Sequence, residues 1–294
     1  MKILDIFNRK KRVLSFELFP PKRDGDLEEL FKTIEQLKAM GPDYISITYG
    51  AGGSSRDTTY GIAVRLKETG VLPLMHFTCV GHSRAEIKIL LDQLKSAGIE
   101  NLLALRGDPP KGQTSFVPAP DGFRFANELV RFIRSENYDF CIGVAGYPEG
   151  HIEAKNREED LLNLKRKVEA GGQFIVTQLF FDNQDYFQFV ERLRKLNVSV
   201  PVQPGIWLLT DYAQLEKIGS LSGGKIPAAL KSLVDPIKED KEKVALAGIE
   251  YASRQCEELL RAGAPGIHFY VMNRSRSVQA VVGNLRKKGF TFGG

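Results

Sequence analysis

Apolar residues along this chain gather in eight short, largely β-branched runs, at residues 13–19, 43–49, 72–80, 101–105, 140–147, 173–181, 200–208 and 266–272. Each run is nearly continuous rather than alternating, the pattern of strands buried on both faces of a sheet. Between the runs the period lengthens to that of amphipathic helices. Leu27, Leu30, Phe31, Ile34 and Leu37 share one helix face behind a start signal of Asp26 and Glu29, and Gly41-Pro42 stops that helix. The stretch 156–170 repeats the plan, with Asn156 as cap, Glu159 three residues on, Leu161, Leu164 and Val168 turned inward, and Gly171-Gly172 as terminator.

Eight such strand–helix units predict an α/β fold, a (β/α)8 TIM barrel. An open doubly wound sheet is the alternative, disfavoured because no G-x-G-x-x-G follows any strand. The seventh and eighth strands are separated by the longer segment 210–265, which must hold extra helices. A chain of 294 residues could form two domains. The eight units and one insertion use that length up, so a single barrel domain over 1–294 is expected, with no room for a further regulatory domain.

Composition changes this picture mostly by exclusion. With 43% hydrophobic, 26% charged and 10% aromatic residues the chain reads as an ordinary soluble enzyme. No apolar run approaches the roughly 18 residues of a membrane helix, and the amino terminus is too short in apolar residues for a signal peptide. A cytoplasmic, unexported protein is therefore expected. Cys79, Cys141 and Cys256 form no C-x-x-C and read as packed thiols. The net charge of +5 is spread along the chain except at residues 8–12, which disfavours nucleic acid and suits an anionic small ligand.

In a barrel of this kind the chemistry lies where strands run into the following loops. The first strand presents Glu17 within Ser15-Phe16-Glu17-Leu18-Phe19-Pro20-Pro21. A carboxylate between large apolar side chains resists ionisation and could serve as a proton donor near neutral pH. A salt-bridged barrel glutamate is the equal alternative. The second strand ends in the glycine-rich Thr48-Tyr49-Gly50-Ala51-Gly52-Gly53, able to bring backbone N–H groups close to an anion or a flat ring. His76 stands alone on the third strand without ligand-spaced neighbours, so no metal is expected.

Arg106-Gly107-Asp108-Pro109-Pro110 closes the fourth strand, a cation and an anion about a glycine, read either as two sides of a planar-ligand site or as an internal ion pair. Asp160, Asn163 and Lys167 fall on one face of the helix after strand five, either as a solvated stripe or as a match for ribose hydroxyls and phosphates. Gln178 ends strand six, where an amide suits a heterocycle with paired donors and acceptors. One acid, no metal set and no nucleophile with an adjacent base together suggest an enzyme whose cofactor does the difficult step.

The ordered motifs Ser15-Phe16-Glu17-Leu18-Phe19-Pro20-Pro21, Thr48-Tyr49-Gly50-Ala51, His76-Phe77-Thr78-Cys79, Leu103-Ala104-Leu105-Arg106-Gly107-Asp108-Pro109-Pro110, Thr177-Gln178-Leu179-Phe180-Phe181-Asp182 and His268-Phe269-Tyr270 resemble those of the methylenetetrahydrofolate reductases. The resemblance implies an FAD-containing barrel that reduces 5,10-methylenetetrahydrofolate to 5-methyltetrahydrofolate. It also implies a ping-pong cycle in which NADH or NADPH reduces the flavin and folate replaces it in the same cleft. By the same resemblance Glu17 is the general acid, Asp108 lies between flavin and pterin, and Gln178 meets folate and nicotinamide in turn. Thr48, Tyr49, Ala51, His76, Arg106, Gly107, Asp108, Ala126, Tyr147, His151, Ala154, Asp160, Asn163, Arg166 and Lys167 match FAD-contacting positions. Glu17, Thr48, Asp108, Gln178, Gln214 and Arg274 match substrate positions, Arg274 suiting the carboxylates of a folate tail. A homo-oligomer serving one-carbon metabolism and methionine supply is implied as well.

One stretch departs from the pattern. After Pro204-Gly205-Ile206 the chain continues Trp207-Leu208-Leu209 instead of a methionine or leucine followed by proline, and Ile218 stands where the family often has an aromatic. This departure keeps open a flavin-bearing subunit that takes its electrons from a partner electron-transfer protein. A cofactor-free barrel lyase using Glu17 is the other alternative.

Overall fold

In the computed structural model, which describes residues 1–21, 27–48, 56–108, 116–215, 218, 224–272 and 275–292, each of the eight apolar runs contains a strand. Interleaved with the helices these are α1 (Ile3–Arg9), β1 (Val13–Leu18), α2 (Leu27–Lys38), β2 (Tyr44–Ile47), α3 (Arg56–Glu68), β3 (Pro73–Thr78), α4 (Arg84–Ser96), β4 (Asn101–Leu105) and α5 (Ala126–Ser135). There follow β5 (Cys141–Gly146), α6 (Arg157–Glu169), β6 (Phe174–Leu179), α7 (Asn183–Lys195), β7 (Val202–Trp207), α8 (Ala228–Val234), α9 (Lys241–Arg261), β8 (Gly266–Tyr270) and α10 (Ser275–Lys287). The strands pair in chain order into a closed parallel barrel. Closure comes from β8 lying beside β1, with Val13 opposite Gly266 and Glu17 opposite Tyr270.

Strand alternation divides the barrel residues between two environments. Leu14, Phe16 and Leu18 of β1, Ile45 and Ile47 of β2, and Ile267 and Phe269 of β8 join the apolar layer between sheet and helices. Phe16 and Phe269 are fully buried there with ring centroids 6.2 Å apart. Truncating either to alanine would cost about 3–5 kcal/mol. The opposite parity, Ser15, Glu17, Tyr44, Ser46, His76, Gln203 and His268, is buried and polar. Near the strand starts the interior turns apolar again. There Ile3 and Ile6 of α1 pack with Val13, Tyr44, Leu74, Leu103, Cys141 and Phe174, so α1 stoppers the amino-terminal end. The Ile3 amide donates to Asn101 Oδ1 at 2.8 Å and fixes that helix in place.

The helix signals read from the sequence hold where they fall on described residues. Leu30, Ile34 and Leu37 of α2 are buried, with Leu27 and Phe31 packed partly against the same core. Asp26 lies outside the described residues. Asn156 caps α6 through its side chain, which accepts from the Glu159 amide at 2.8 Å. The long connection before β8 contains α8, a short 3-10 turn (Asp235–Ile237) and the 21-residue α9. Leu230, Val234 and Val244 from it pack with Leu209, Leu215 and Ile218 as a separate apolar cluster beside the barrel mouth. The three cysteines are free and buried. Among the described residues no helix is long and apolar enough to cross a membrane.

Candidate active site

At the carboxyl end of the barrel, Glu17 is 5% exposed and has three polar neighbours on one carboxylate oxygen. Oε2 lies 3.2 Å from His76 Nε2 and 3.3 Å from His268 Nε2, and Ser46 Oγ donates to it at 3.4 Å. His76 Nε2 is also 2.7 Å from Ser46 Oγ. Of the two even readings of Glu17, the geometry favours the partnered barrel glutamate over a carboxyl held protonated by apolar neighbours. Burial alone would raise its pKa, but the charge of His76 and the hydrogen bonds from both imidazoles outweigh that and bring it down to about 2. The apolar residues adjacent in sequence, Phe16 and Leu18, point to the other side of the sheet. Glu17 thus belongs to a hydrogen-bonded cluster of side chains from β1, β2, β3 and β8.

A second group of polar side chains lies across the ends of β4 and β5 and the start of α6. Gly107 has φ +90°, and a Cβ there would meet Val80 Cγ1 at 2.5 Å, so the turn after β4 tolerates only glycine. Arg106 does not pair with Asp108; its guanidinium makes two bonds to Glu153, at 2.5 and 2.7 Å, and lies over the Phe116 ring. Asp108 is exposed at the strand end. The Tyr147 ring meets His151 edge-on at 4.6 Å, and Lys167 Nζ sits 5.9 Å from the Tyr147 centroid. Lys167 donates to the Ala145 carbonyl at 2.6 Å. Burial lowers its pKa to about 8 against the opposing charge of Asp160. Burial likewise raises Asp160, with Lys167 and His151 opposing, and lowers His151.

The helix face read as one stripe is split. Asp160 is buried, Lys167 is half-buried, and Asn163 is exposed, its Oδ1 accepting from the exposed Arg166 at 2.7 Å. Ala154 and Ala126 are half-buried, Ala154 closing a turn onto the His151 carbonyl and Ala126 opening α5. Thr48 is buried at the end of β2, its amide bonded to the Leu18 carbonyl at 3.0 Å. Gln178 is half-buried and its side-chain oxygen accepts from the Leu179 amide at 2.9 Å. Gln214 bonds to its own loop, accepting from the Thr210 amide at 2.9 Å. It nevertheless lines a hollow at the mouth of β7 and β8 with Leu208, Tyr270 and Met272. Tyr49, Ala51 and Arg274 lie outside the described residues.

Several contributors to this end of the barrel carried no role in the sequence reading. Ser46 and His268 complete the Glu17 cluster, and Glu153 occupies Arg106. Thr78 Oγ1, at the end of β3, is buried without a hydrogen-bond partner among the described residues. Met272, just beyond β8, is held at φ +49°, a strained conformation for a non-glycine residue of the kind found at functional sites. The signal that could have found Ser46 and His268 is strand parity, since they share the inward set with Glu17. Among the described residues no group of three His, Cys, Asp or Glu side chains is arranged to hold a metal ion.

Chemically, the mouth combines a buried acid–imidazole cluster with two cations, a buried carboxylate and an edge-on pair of rings on one side. Such a donor set fits a dinucleotide cofactor: Arg106 and Lys167 suit a diphosphate, Asp160 suits sugar hydroxyls, and the unpartnered Thr78 hydroxyl leaves one buried polar atom to be satisfied.

The family model described as methylenetetrahydrofolate reductase matches residues 2–286. Methylenetetrahydrofolate reductase (NADH) 1 of Arabidopsis thaliana is 39% identical over 97% of this chain and 50% of its own length. The 5,10-methylenetetrahydrofolate reductase of Escherichia coli K12 is 35% identical over 92% of this chain and 90% of its own. The chain thus spans about half the length of the plant relatives. In three dimensions it resembles a Clostridium thermocellum protein described as binding two copies of 5-methyl-5,6,7,8-tetrahydrofolic acid, with a TM-score of 0.68, 19% identity and 97% of both chains covered. That likeness speaks for the fold. The sequence matches extend from α1 to the last helix, through every element that builds the mouth: the chain belongs to the methylenetetrahydrofolate reductase family.

Proposed function

We propose that this chain is an FAD-dependent enzyme, a single barrel domain working in the cytoplasm. On this reading it reduces 5,10-methylenetetrahydrofolate to 5-methyltetrahydrofolate, with NADH or NADPH as donor, in a ping-pong cycle. The observation that carries the reading is the Glu17–His76–His268 cluster at the barrel mouth of a member of this family. FAD, when bound, would accept and deliver the hydride. Arg106, Gly107, Tyr147, His151, Asp160, Asn163, Arg166 and Lys167, with Thr48, Ala126 and Ala154, are the described residues that would hold it. Arg106 must then exchange Glu153 for the cofactor's phosphate, a trade of one bidentate anion for another.

Opening the methylene bridge of the folate requires a proton at its nitrogen. Glu17 with a pKa of about 2 is a carboxylate at neutral pH. The protons available to it are the imidazole and hydroxyl hydrogens pointing at Oε2. The acid is therefore the cluster: an imidazole carrying both ring protons transfers one to Glu17 Oε2, the carboxylic acid so formed passes it to the folate nitrogen, and the pair ends as a neutral imidazole and a carboxylate. Asp108 and Gln178 would orient the pterin, and Gln214 would line the far side.

A second reading has one observation in its favour. Ile218 is 3% exposed and packed with Leu209 and Leu215, so no aromatic ring stands at that position for a folded dinucleotide to pack on, and the half-buried Trp207 lies 6.4 Å from the Tyr270 ring. This favours a donor bound in another manner, or a partner protein as reductant. Family membership argues against the cofactor-free lyase. The FAD-loaded protein, given methylenetetrahydrofolate and each nicotinamide in turn, should form 5-methyltetrahydrofolate, detectable by mass spectrometry. Failure to form it with any reductant, including chemically reduced flavin, would reject the proposal.

A further inference from the structure

Trp207 is the departure from the family pattern that the steps above leave without a task. It ends β7 and stands opposite Tyr270 of β8 in the strand register. Two residues back, a Cβ on Gly205 would meet the Tyr270 ring at 2.7 Å and its hydroxyl oxygen at 3.0 Å. The Tyr270 ring therefore lies across Gly205, tied there by its hydroxyl, which donates to the Thr177 carbonyl at 2.7 Å. Gln203, near the start of the same strand, bonds inward to Ser15. Alternation places Gly205 and Trp207 on that inward side as well, so the indole forms the next layer above the Tyr270 ring toward the mouth. The two ring centroids are 6.4 Å apart, with planes inclined by 36°.

The indole is half-buried and packs partly against the cluster that contains Leu209, Leu215 and Ile218. Its Nε1 is buried and has no hydrogen-bond partner among the described residues. An indole nitrogen can only donate, so this N–H has given up water and gained no acceptor. Orphaned donors are rare in folded proteins because that loss is not repaid, and apolar packing at this position would need no N–H. The surroundings supply a reason. Leu208 and Tyr270, the chain neighbour and the strand partner of Trp207, line the mouth hollow with Gln214 and Met272. On the adjoining β6 the Gln178 oxygen is tied to the Leu179 amide at 2.9 Å, so what Gln178 has left to offer is also a donor, its NH2 group. This wall presents ring faces and N–H groups, and its complement is a flat ring bearing a carbonyl oxygen. A ligand oxygen reaches Nε1 by parting the indole edge from the connection cluster, which packs apart from the main core and can yield without opening the barrel.

We propose that Trp207 is a specificity-determining residue of the mouth, whose indole N–H donates to the amide carbonyl oxygen of the flat heterocycle that meets the flavin. Both ring systems of the proposed function carry such an oxygen, the nicotinamide in its carboxamide and the pterin in its ring. The inference rests on that functional reading and adds to it the group that recognises the ring.

The chain holds one tryptophan, so a 15N-labelled sample has a single indole N–H resonance. The FAD-loaded full chain is titrated with NAD+ and, separately, with folic acid, neither of which reduces oxidised flavin, and the visible flavin spectrum reports the binding of each. The indole resonance should move downfield on binding of at least one of them, and that ligand is the one Trp207 reads. In Trp207→Phe, which keeps a ring, the same ligand should bind about 3- to 10-fold more weakly, the worth of one neutral hydrogen bond, with FAD affinity unchanged. An indole resonance that stays in place while the flavin spectrum shows both ligands bound overturns the inference. So does native affinity in Trp207→Phe, or a matching loss of FAD affinity, which would mark the indole as packing alone. If neither ligand perturbs the flavin, the functional reading itself fails and the inference falls with it.

Discussion

Replacing Glu17 by glutamine separates the chemistry of the cluster from its contribution to folding. The change is nearly isosteric, and the amide oxygen can still accept from one imidazole N–H, but it carries no charge and has no proton to pass on. A fall in pKa from 4.5 to about 2 is worth roughly 3 kcal/mol in favour of the carboxylate, at about 1.4 kcal/mol per unit. Because the folded-state value is depressed, that stability is present above about pH 4.5 and is lost as the pH falls toward 2. Glu17→Gln should therefore unfold at lower urea concentration at pH 7 by about 1–3 kcal/mol, the range for a lost charged hydrogen bond. It should also lose part of the native protein's sensitivity to acid between those two pH values.

The kinetic effect is larger and selective. Reduction of the flavin by a nicotinamide needs no proton from Glu17, whereas the folate step does. Stopped-flow measurement of the two half-reactions should show the first unchanged and the second slowed by about 100- to 10,000-fold, the contribution of a general acid. Equal slowing of both would refute the reasoning and mark Glu17 as structural.

Two further perturbations test the surroundings. A Cβ on Gly205 would meet the Thr177 carbonyl oxygen at 2.3 Å and the Tyr270 ring at 2.7 Å, so Gly205→Ala should cost about 1–3 kcal/mol in denaturant unfolding; an unchanged midpoint would mean that β7 and β8 yield more easily than their packing implies. Lys167, with its pKa lowered to about 8, should lose its charge as the pH rises through that value. FAD affinity, followed by fluorescence quenching, should then weaken between pH 7 and 9 in the native protein. It should be weak throughout in Lys167→Met, and parallel curves for the two would remove Lys167 from the cofactor site.

The barrel was legible because its strands are buried on both faces. Eight continuous apolar runs, spaced by helices with their own caps, left few topologies open, and Asn156 on the Glu159 amide is that punctuation realised. The site was legible only where adjacent residues carry it, as at Arg106, Gly107 and Asp108. The environment of Glu17 was not, because its partners come from three other strands. His268 is 251 residues away in the chain and His76 arrives from β3. Apolar neighbours in sequence suggested a raised pKa, whereas alternation sends Phe16 and Leu18 to the far side of the sheet. Glu153 was invisible for a similar reason: it reaches Arg106 from a turn 47 residues on. Gln214 shows the converse, a position matched by resemblance whose side chain here caps its own loop.

The most direct measurement is an anaerobic spectral titration of the purified, FAD-loaded protein with NADH and with NADPH, followed by methylenetetrahydrofolate. The visible flavin bands should bleach with at least one donor and return on adding folate, with one equivalent of 5-methyltetrahydrofolate formed per flavin reoxidised. A colourless protein that takes up no FAD, or a reduced flavin that methylenetetrahydrofolate leaves bleached, would contradict the assignment.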